Sequence, residues 1–300
     1  MKVAIVVLSF NSRKYISRCI SSLHKLKTAA QTEVVVVDAG SIDGSLKFLQ
    51  EKFPSVSLIS SPTNLGYAGG NNLGLNYALS HNADYVWIVN PDIVVATDSL
   101  EQALKGFADS RVGVVGSKVY FAKGFEFHKD RYSSKDLGHV IWFAGGHYDW
   151  QNVATVHHGI NEVDTGQFNL VSEAEFATGA SLLINSAALH QAGLIDEKYF
   201  LYYEENDLCQ RIRKQGWKIL YVPESIVWHQ VGQATGIGSE LADYYITRNQ
   251  LLFGMRWAPW RAKLALLRQS SRLILSGRPW QKRGVVDFYL GRFGNGSYVN

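Results

Sequence analysis

The chain has 300 residues, 46% of them hydrophobic and 19% charged, enough apolar material for one large core or a core with a smaller appendage, which excludes a disordered chain. Its two cysteines, Cys19 and Cys209, lie far apart without a C-x-x-C pair, which argues against a disulfide framework or a thiolate zinc site and fits a reducing, cytoplasmic setting. The formal net charge of +4 conceals a segregation: nine Lys or Arg and no Asp or Glu fall between Tyr244 and Val286, leaving 21 basic against 26 acidic residues elsewhere.

The apolar part of MKVAIVVLSFNS is too short for a signal peptide and reads as a buried strand. No run approaches the roughly 18–20 apolar residues that a bilayer span needs. Val3 to Leu8 and Val34 to Val37 are the valine-rich runs of parallel strands covered on both faces. Between them Tyr15, Ile16, Cys19, Ile20 and Leu23 recur at helical spacing, with Ser12 as the expected N-cap. A helix is predicted over Ser41 to Phe53, a short strand over Val56 to Ile59, a helix over Asn72 to Leu79 and a strand over Tyr85 to Val89. This alternation predicts an α/β fold with a mostly parallel sheet flanked by helices. From Phe121 to Gln167 the periodicity is weak, predicting loops and short strands. Ala180 to Ile184 is apolar, Asp207 to Gln215 helical and Trp217 to Val222 a strand. Beyond about Ser239 the chain turns helical, aromatic and basic, so a catalytic unit over 1–238 (parts 1–120 and 121–238) and a basic helical extension over 239–300 are expected.

In such sheets ligands sit beyond the carboxyl ends of the strands. Asp38, which ends the second strand, either accepts from a nucleobase imide N–H or turns the chain, with Ser41 or Asp43 capping the next helix. Asn64 to Asn72 holds three glycines and three asparagines, Gly66, Gly69 and Asn72 among them. The stretch suits either close approach of backbone to a ligand or a tight turn. Asn90-Pro91-Asp92 is either a turn or an oxygen-bearing pair for a hard cation shared with a diphosphate. Three acidic residues, Glu204, Glu205 and Asp207, open a helix. Repulsion would raise one pKa and poise a base, favoured for Glu205, while the helix dipole accounts for Asp207. His229 is a metal or phosphate ligand, or a core histidine.

Taken in order, Val6 to Asn11, Val36 to Asp38 with Asp43-Gly44-Ser45, Asn64 to Asn72, Asn90-Pro91-Asp92, Thr178-Gly179-Ala180, the acidic run and Tyr221 to Glu224 leading to His229 resemble the family 2 glycosyltransferases of the GT-A fold. The closer likeness is to the bacterial rhamnosyltransferase-like group that builds cell-surface polysaccharides, and Tyr245 with Arg248-Asn249 extends it into the tail. The resemblance implies an inverting sugar transfer from a nucleotide-sugar donor, dTDP-rhamnose first and UDP-sugars next, to a saccharide or lipid-linked acceptor. It implies donor contacts by Ser9, Phe10, Asn11, Asp38, Gly66, Gly69, Asn72, Asn90 and Asp92, and a divalent metal (Mg²⁺ or Mn²⁺) on Asp92 with His229. Glu205 would be the base, with Gly179 and Glu204 facing the acceptor; in the variable loop from Phe121 to Gln167, Trp142, Gly145, Gly146 and Trp150 either form a sugar platform for the acceptor or pack within the protein. Two departures stand out: Asn90 replaces a carboxylate, and Glu205 replaces the commoner Asp, which leaves the choice between Glu204 and Glu205 open.

In the tail, Trp257, Trp260, Leu264, Leu267 and Ile274 share a helical face beside Arg261, Arg268 and Arg272, suited either to the membrane interface at the inner face of the cell or to packing on the body. No nucleic-acid reader is recognisable. A nucleotidyltransferase would want a basic glycine-rich loop after the first strand, where this chain has Ser9-Phe10-Asn11-Ser12; a non-catalytic binding module is the other alternative.

Overall fold

Val3 to Val7 are almost wholly buried, because the first strand, β1 (Lys2–Ser9), has a strand on each side and a helix packed across it. It pairs in parallel with β2 (Gln31–Ala39) and with β4 (Tyr85–Val89), and β2 carries β3 (Ser57–Ser61) in parallel at the edge. A computed structural model of the chain describes residues 1–232 and 239–298. The remaining strands are β5 (Ile93–Val95), β6 (Val112–Phe121), β7 (Ile141–Phe143), β8 (Gly146–Asp149), β9 (Ala154–His157), β10 (Ser172–Glu173), β11 (Ser181–Asn185) and β12 (Lys218–His229). The helices are α1 (Ile16–Leu23), α2 (Ser45–Lys52), α3 (Gly66–Ser80), α4 (Ser99–Lys105), α5 (Ser186–Ala192), α6 (Glu204–Lys214), α7 (Glu240–Trp257), α8 (Trp260–Ser276) and α9 (Pro279–Tyr289).

The sheet runs β10-β12-β6-β11-β4-β1-β2-β3, with β5 on β12 and β7 on β6. Strand β11 is antiparallel to both β4 and β6, and β12 is parallel to β6. The sheet is therefore mixed, yet β1, β2, β3, β4, β6 and β12 share one direction. Their carboxyl ends, together with the start of the reversed β11, form one edge, since Ser181 lies opposite Val89 and His229 opposite Phe121.

Several elements differ from the predicted ones. Ser12 does not cap α1 through its side chain; its hydroxyl meets Ser9 Oγ at 2.6 Å and its N–H donates to Ser45 Oγ. Helix α2 begins only at Ser45 and its N-cap is Gly44, at φ +83° with no side-chain cap, so neither Ser41 nor Asp43 caps it; Asp43, one position further out, accepts from the Ser45 N–H and hydroxyl at Oδ1. Helix α3 begins at Gly66, six positions before the expected start, because its glycines let it sit down on the sheet. A Cβ on Gly70 would lie 2.4 Å from Leu8, and one on Gly74 2.3 Å from Val6. The strand expected over Trp217 to Val222 runs on past Pro223 to His229, with a register shift between Val222 and Ile226.

The boundary expected at 238 lies outside the described residues. Helix α7 packs into the body: Phe253 stacks on Trp150 and contacts Tyr203, while Arg256 and Trp257 both donate to Asp207. Asp207 also receives Arg211 at 2.8 Å and is fully buried, which gives it a structural role beyond favourable placement at a helix N-terminus.

Candidate active site

At the sheet edge, Ser9 and Asp38 end paired strands and lie opposite each other. Asp38 Oδ1 accepts from the Ser41 N–H at 3.0 Å and Oδ2 from Ser9 Oγ at 3.3 Å. At 1% exposure the carboxylate visibly performs the turn role. Asn11, at φ +48°, ties the neighbouring loop down, its Oδ1 accepting from the Ile42 N–H and its own N–H donating to Ser41 Oγ. Phe10 lies half-buried between them.

The residues expected to line a donor loop on α3 are largely committed to the protein itself. Asn72 is buried; its Oδ1 accepts from Ile195 N–H and its Nδ2 donates to Ile195 O and Glu197 Oε1. It pins the 195–197 turn instead of facing a ligand. Gly66, at φ +67°, is glycine because Phe200 O would lie 2.4 Å from any Cβ, and Gly69 packs beneath Leu65 and Glu197. Close backbone approach is indeed what these glycines permit, but the partner is protein.

The segment after β4 places Asp92 on β12. Strand β5 pairs with β12 so that Ile93 faces His229, which brings Asp92 Oδ1 to 3.3 Å from His229 Nε2. Both residues are buried, and neither Asp92 Oδ1 nor His229 Nδ1 has a hydrogen-bond partner among the described residues. Buried polar atoms are rarely left so, and an anionic oxygen beside an imidazole nitrogen suits a divalent cation. Among the described residues no three His, Cys, Asp or Glu side chains converge, so any cation here would have to complete its shell from oxygens outside the protein's own carboxylates and imidazoles. Trp142 closes the group, its ring edge-on to His229 at 4.7 Å and to His157 at 5.0 Å. His157 lay outside the expected site; burial pushes its pKa down to about 4, so it is a neutral group meeting the Trp142 carbonyl. Of the other platform residues, Trp150 is used against Phe253, Gly146 makes room for Phe176, and Gly145 forms a left-handed turn against Tyr221.

Helix α6 begins with the acidic pair. Glu204 is buried and Glu205 half-buried, and an oxygen of each carboxylate has no partner among the described residues. Burial, then the neighbouring Glu205, pushes the Glu204 pKa well above the ordinary carboxylate range. Burial also raises Glu205, opposed by backbone N–H groups that include that of Gly179. Gly179 has no space for a side chain, because Tyr67 Oη would lie 2.7 Å from a Cβ; the Tyr67 hydroxyl donates to Gly179 O at 2.6 Å. Tyr67 is a member of the site that the motif reading passed over, although it lies in the middle of the quoted Asn64 to Asn72 run.

The raised Glu204 pKa has a stability consequence with a definite sign. The folded protein keeps a proton that the unfolded chain has lost above about pH 4.3, so stability falls as pH rises through that interval toward the folded value. Glu204→Gln is expected to raise Tm at pH 8 and to leave it unchanged at pH 4. An equal change at both pH values would remove the ionisation argument.

The two halves of the site join through one backbone bond: Asn90 N–H donates to Ala180 O at 3.1 Å, next to Gly179. Asp92 and Glu205 thus flank the same stretch of the sheet edge, the first from the end of β4 and the second from α6 behind the Gly179 turn.

Comparison with known proteins identifies the family and the fold. The family model described as glycosyl transferase family 2 matches residues 4–161. The chain is 26% identical over 271 residues to the N-acetylglucosaminyl-diphospho-decaprenol L-rhamnosyltransferase of Mycobacterium tuberculosis, covering 87% of each chain. It is 22% identical over 227 residues to rhamnosyltransferase WbbL of Escherichia coli, covering 74% of this chain and 80% of that one. Among solved structures, GalNAc-T7 with UDP, GalNAc and Mn²⁺ superposes with a TM-score of 0.67 at 15% identity, over 93% of this chain and 52% of that chain.

Proposed function

We propose, from the premise that the chain belongs to glycosyl transferase family 2, that this glycosyltransferase moves L-rhamnose from a dTDP donor, with a UDP-sugar as the next candidate, to a saccharide carried on a lipid diphosphate in cell-surface glycan synthesis. The sugar and the acceptor class follow the two relatives, both rhamnosyltransferases, one of them named for a diphospho-decaprenol acceptor. The observation that supports the chemistry is that one sheet edge carries both the Asp92–His229 pair and the Glu204–Glu205 pair, and that Asp92 Oδ1, His229 Nδ1 and one oxygen of each glutamate have no hydrogen-bond partner among the described residues.

In this reading the nucleotide lies over the ends of β1 and β2, where Asp38 keeps acceptor capacity on Oδ2. Asp92 and His229 would hold Mg²⁺ or Mn²⁺ together with the donor's phosphate oxygens, and the ion would stabilise the negative charge that the leaving diphosphate gains. Glu205 takes the proton of the acceptor hydroxyl as that oxygen attacks the anomeric carbon, and a single displacement inverts the centre. Glu204, kept neutral by burial, can donate a hydrogen bond to an acceptor hydroxyl, and Trp142 offers it a ring face. Incubating the protein with dTDP-rhamnose and a lipid-linked N-acetylglucosaminyl diphosphate, with Mn²⁺ or with chelator, tests the proposal. Rhamnosyl product only with metal is expected; no transfer from any dTDP- or UDP-sugar would end it.

We further propose that α8 rests on an anionic membrane at the inner face of the cell, where such an acceptor lies. No described helix is long and apolar enough to cross a bilayer. On α8, Trp260 is 65% and Leu275 80% exposed, with Leu264 and Ile274 between them and Arg261, Arg268 and Arg272 exposed alongside. Trp257, expected on this face, instead ends α7 and binds Asp207, and Leu267 is half-buried. Each basic side chain adds about 1 kcal/mol near an anionic surface. Reversing Arg261, Arg268 and Arg272 to Glu is expected to abolish sedimentation with phosphatidylglycerol vesicles; retention of binding would refute the orientation.

A further inference from the structure

We infer that Arg248 and Asn249, from helix α7, are positioning residues for the catalytic carboxylates, acting by clamping the backbone segment that delivers Glu204 and Glu205. The inference rests on the reading of Glu205 as base. Residues 198–203 lead directly into α6, and three of them, Phe200, Tyr202 and Tyr203, sit at φ +64°, +70° and +73°. None is glycine, and left-handed backbone at bulky residues persists only where surrounding structure imposes it.

The clamp supplies that imposition. Asn249 Nδ2 lies 2.8, 2.7 and 2.9 Å from the carbonyl oxygens of Tyr199, Leu201 and Tyr202. Arg248 Nη2 donates to Tyr199 O at 2.8 Å and to Lys198 O at 3.2 Å. Its Nε donates to Asn249 Oδ1 at 3.0 Å, which turns the Asn249 amide so that the NH₂ group faces the segment. Arg248 is wholly buried, flanked by the rings of Tyr244 and Tyr245, and its Nη1 reaches Gly294 O at 2.7 Å. A buried guanidinium spent on carbonyls is a poor way to stabilise a helix packing face, but it is well matched to fixing carbonyls that a strained backbone has turned outward.

The far side of the segment is set by the site itself. Phe200 O accepts from the Ala68 N–H at 3.1 Å and abuts Gly66, next to Tyr67, while the Phe200 ring stacks on Tyr245. Tyr203 donates to Val153 O at 3.1 Å. Helix α6 has no side-chain N-cap, so the position at which the clamped backbone ends sets where both carboxylates point.

The test compares Asn249→Ala in the wild-type and Glu205→Gln backgrounds, measuring kcat, donor Kd by calorimetry and Tm. Expected is a fall in kcat of about 10²-fold, the usual cost of misplacing a reacting group by about an ångström, with donor Kd unchanged. In the Glu205→Gln background the same substitution should cost little more, because it acts through the missing base. Equal fold losses in both backgrounds, or a loss confined to Tm, would show a general structural role and overturn the inference. Unchanged kcat for Asn249→Ala, with Glu205→Gln inactive, would overturn it while leaving the base in place. Full activity of Glu205→Gln would instead remove the base reading, and the inference with it. If Asn249→Ala does not fold, Arg248→Lys carries the same comparison, keeping the buried charge but giving up the planar fork.

Discussion

Glu205→Gln is expected to lower turnover by about 10² to 10⁴-fold, the range for loss of a general base, while donor affinity measured by calorimetry stays within twofold. The substitution preserves the shape and burial of the side chain, and removes only its capacity to take a proton. Burial raises the Glu205 pKa above the ordinary carboxylate range, and a base works only after losing its own proton. The acid limb of kcat/KM in the wild type should therefore lie above about pH 4.3, with activity increasing as pH rises through it. In the variant that limb should disappear along with the rate. Near-normal turnover would remove Glu205 from the mechanism, and Glu204, its buried neighbour, would then be the first alternative to substitute.

Much of this was legible in the residues because strand ends are where chemistry collects in such sheets. The valine runs of β1 and β2 and the apolar run of β4 identified themselves, and with them the positions of Asp38 and Asp92. Strand β6 did not: Gly113, Gly116, Ser117 and Lys118 interrupt its apolar pattern, although the whole strand is buried. Its glycines answer to tertiary contacts, since a Cβ on Gly116 would lie 2.8 Å from Ala177 and one on Gly113 2.8 Å from Trp217. Lys118 is buried against Asp164 and Asn169, partners that no local pattern announces. The same holds for α3, where three glycines read as a loop but serve to seat a helix, packing overriding intrinsic propensity.

The resemblance implied a metal on Asp92 with His229, yet their contact depends on the antiparallel register of β5 on β12, which a linear reading cannot supply. Tyr67 was hidden inside a run read for its glycines. Asn249 belongs to the resemblance without a role of its own, because the carbonyls to which it donates face it only once Phe200, Tyr202 and Tyr203 adopt left-handed backbone.

Asp92→Ala is expected to weaken donor binding in Mn²⁺ by at least about tenfold, the lower end of what losing even an outer-shell metal partner costs, and to make the remaining affinity insensitive to chelator. The expectation follows from charge. Asn90 stands where a second carboxylate would, so in this reading Asp92 is the sole anionic protein ligand, and His229 contributes only a neutral nitrogen. A cation held by one carboxylate and one imidazole binds weakly alone and gains most of its affinity from the diphosphate, so metal and donor should bind cooperatively. Titrating dTDP-rhamnose into wild type with and without Mn²⁺ should show that coupling, and titrating Mn²⁺ at saturating donor should show the same factor. His229→Ala should lose less than Asp92→Ala, since it removes no charge. If Asp92→Ala binds donor in Mn²⁺ as tightly as wild type does, the buried oxygen beside His229 serves packing alone and the diphosphate must be held elsewhere along the sheet edge.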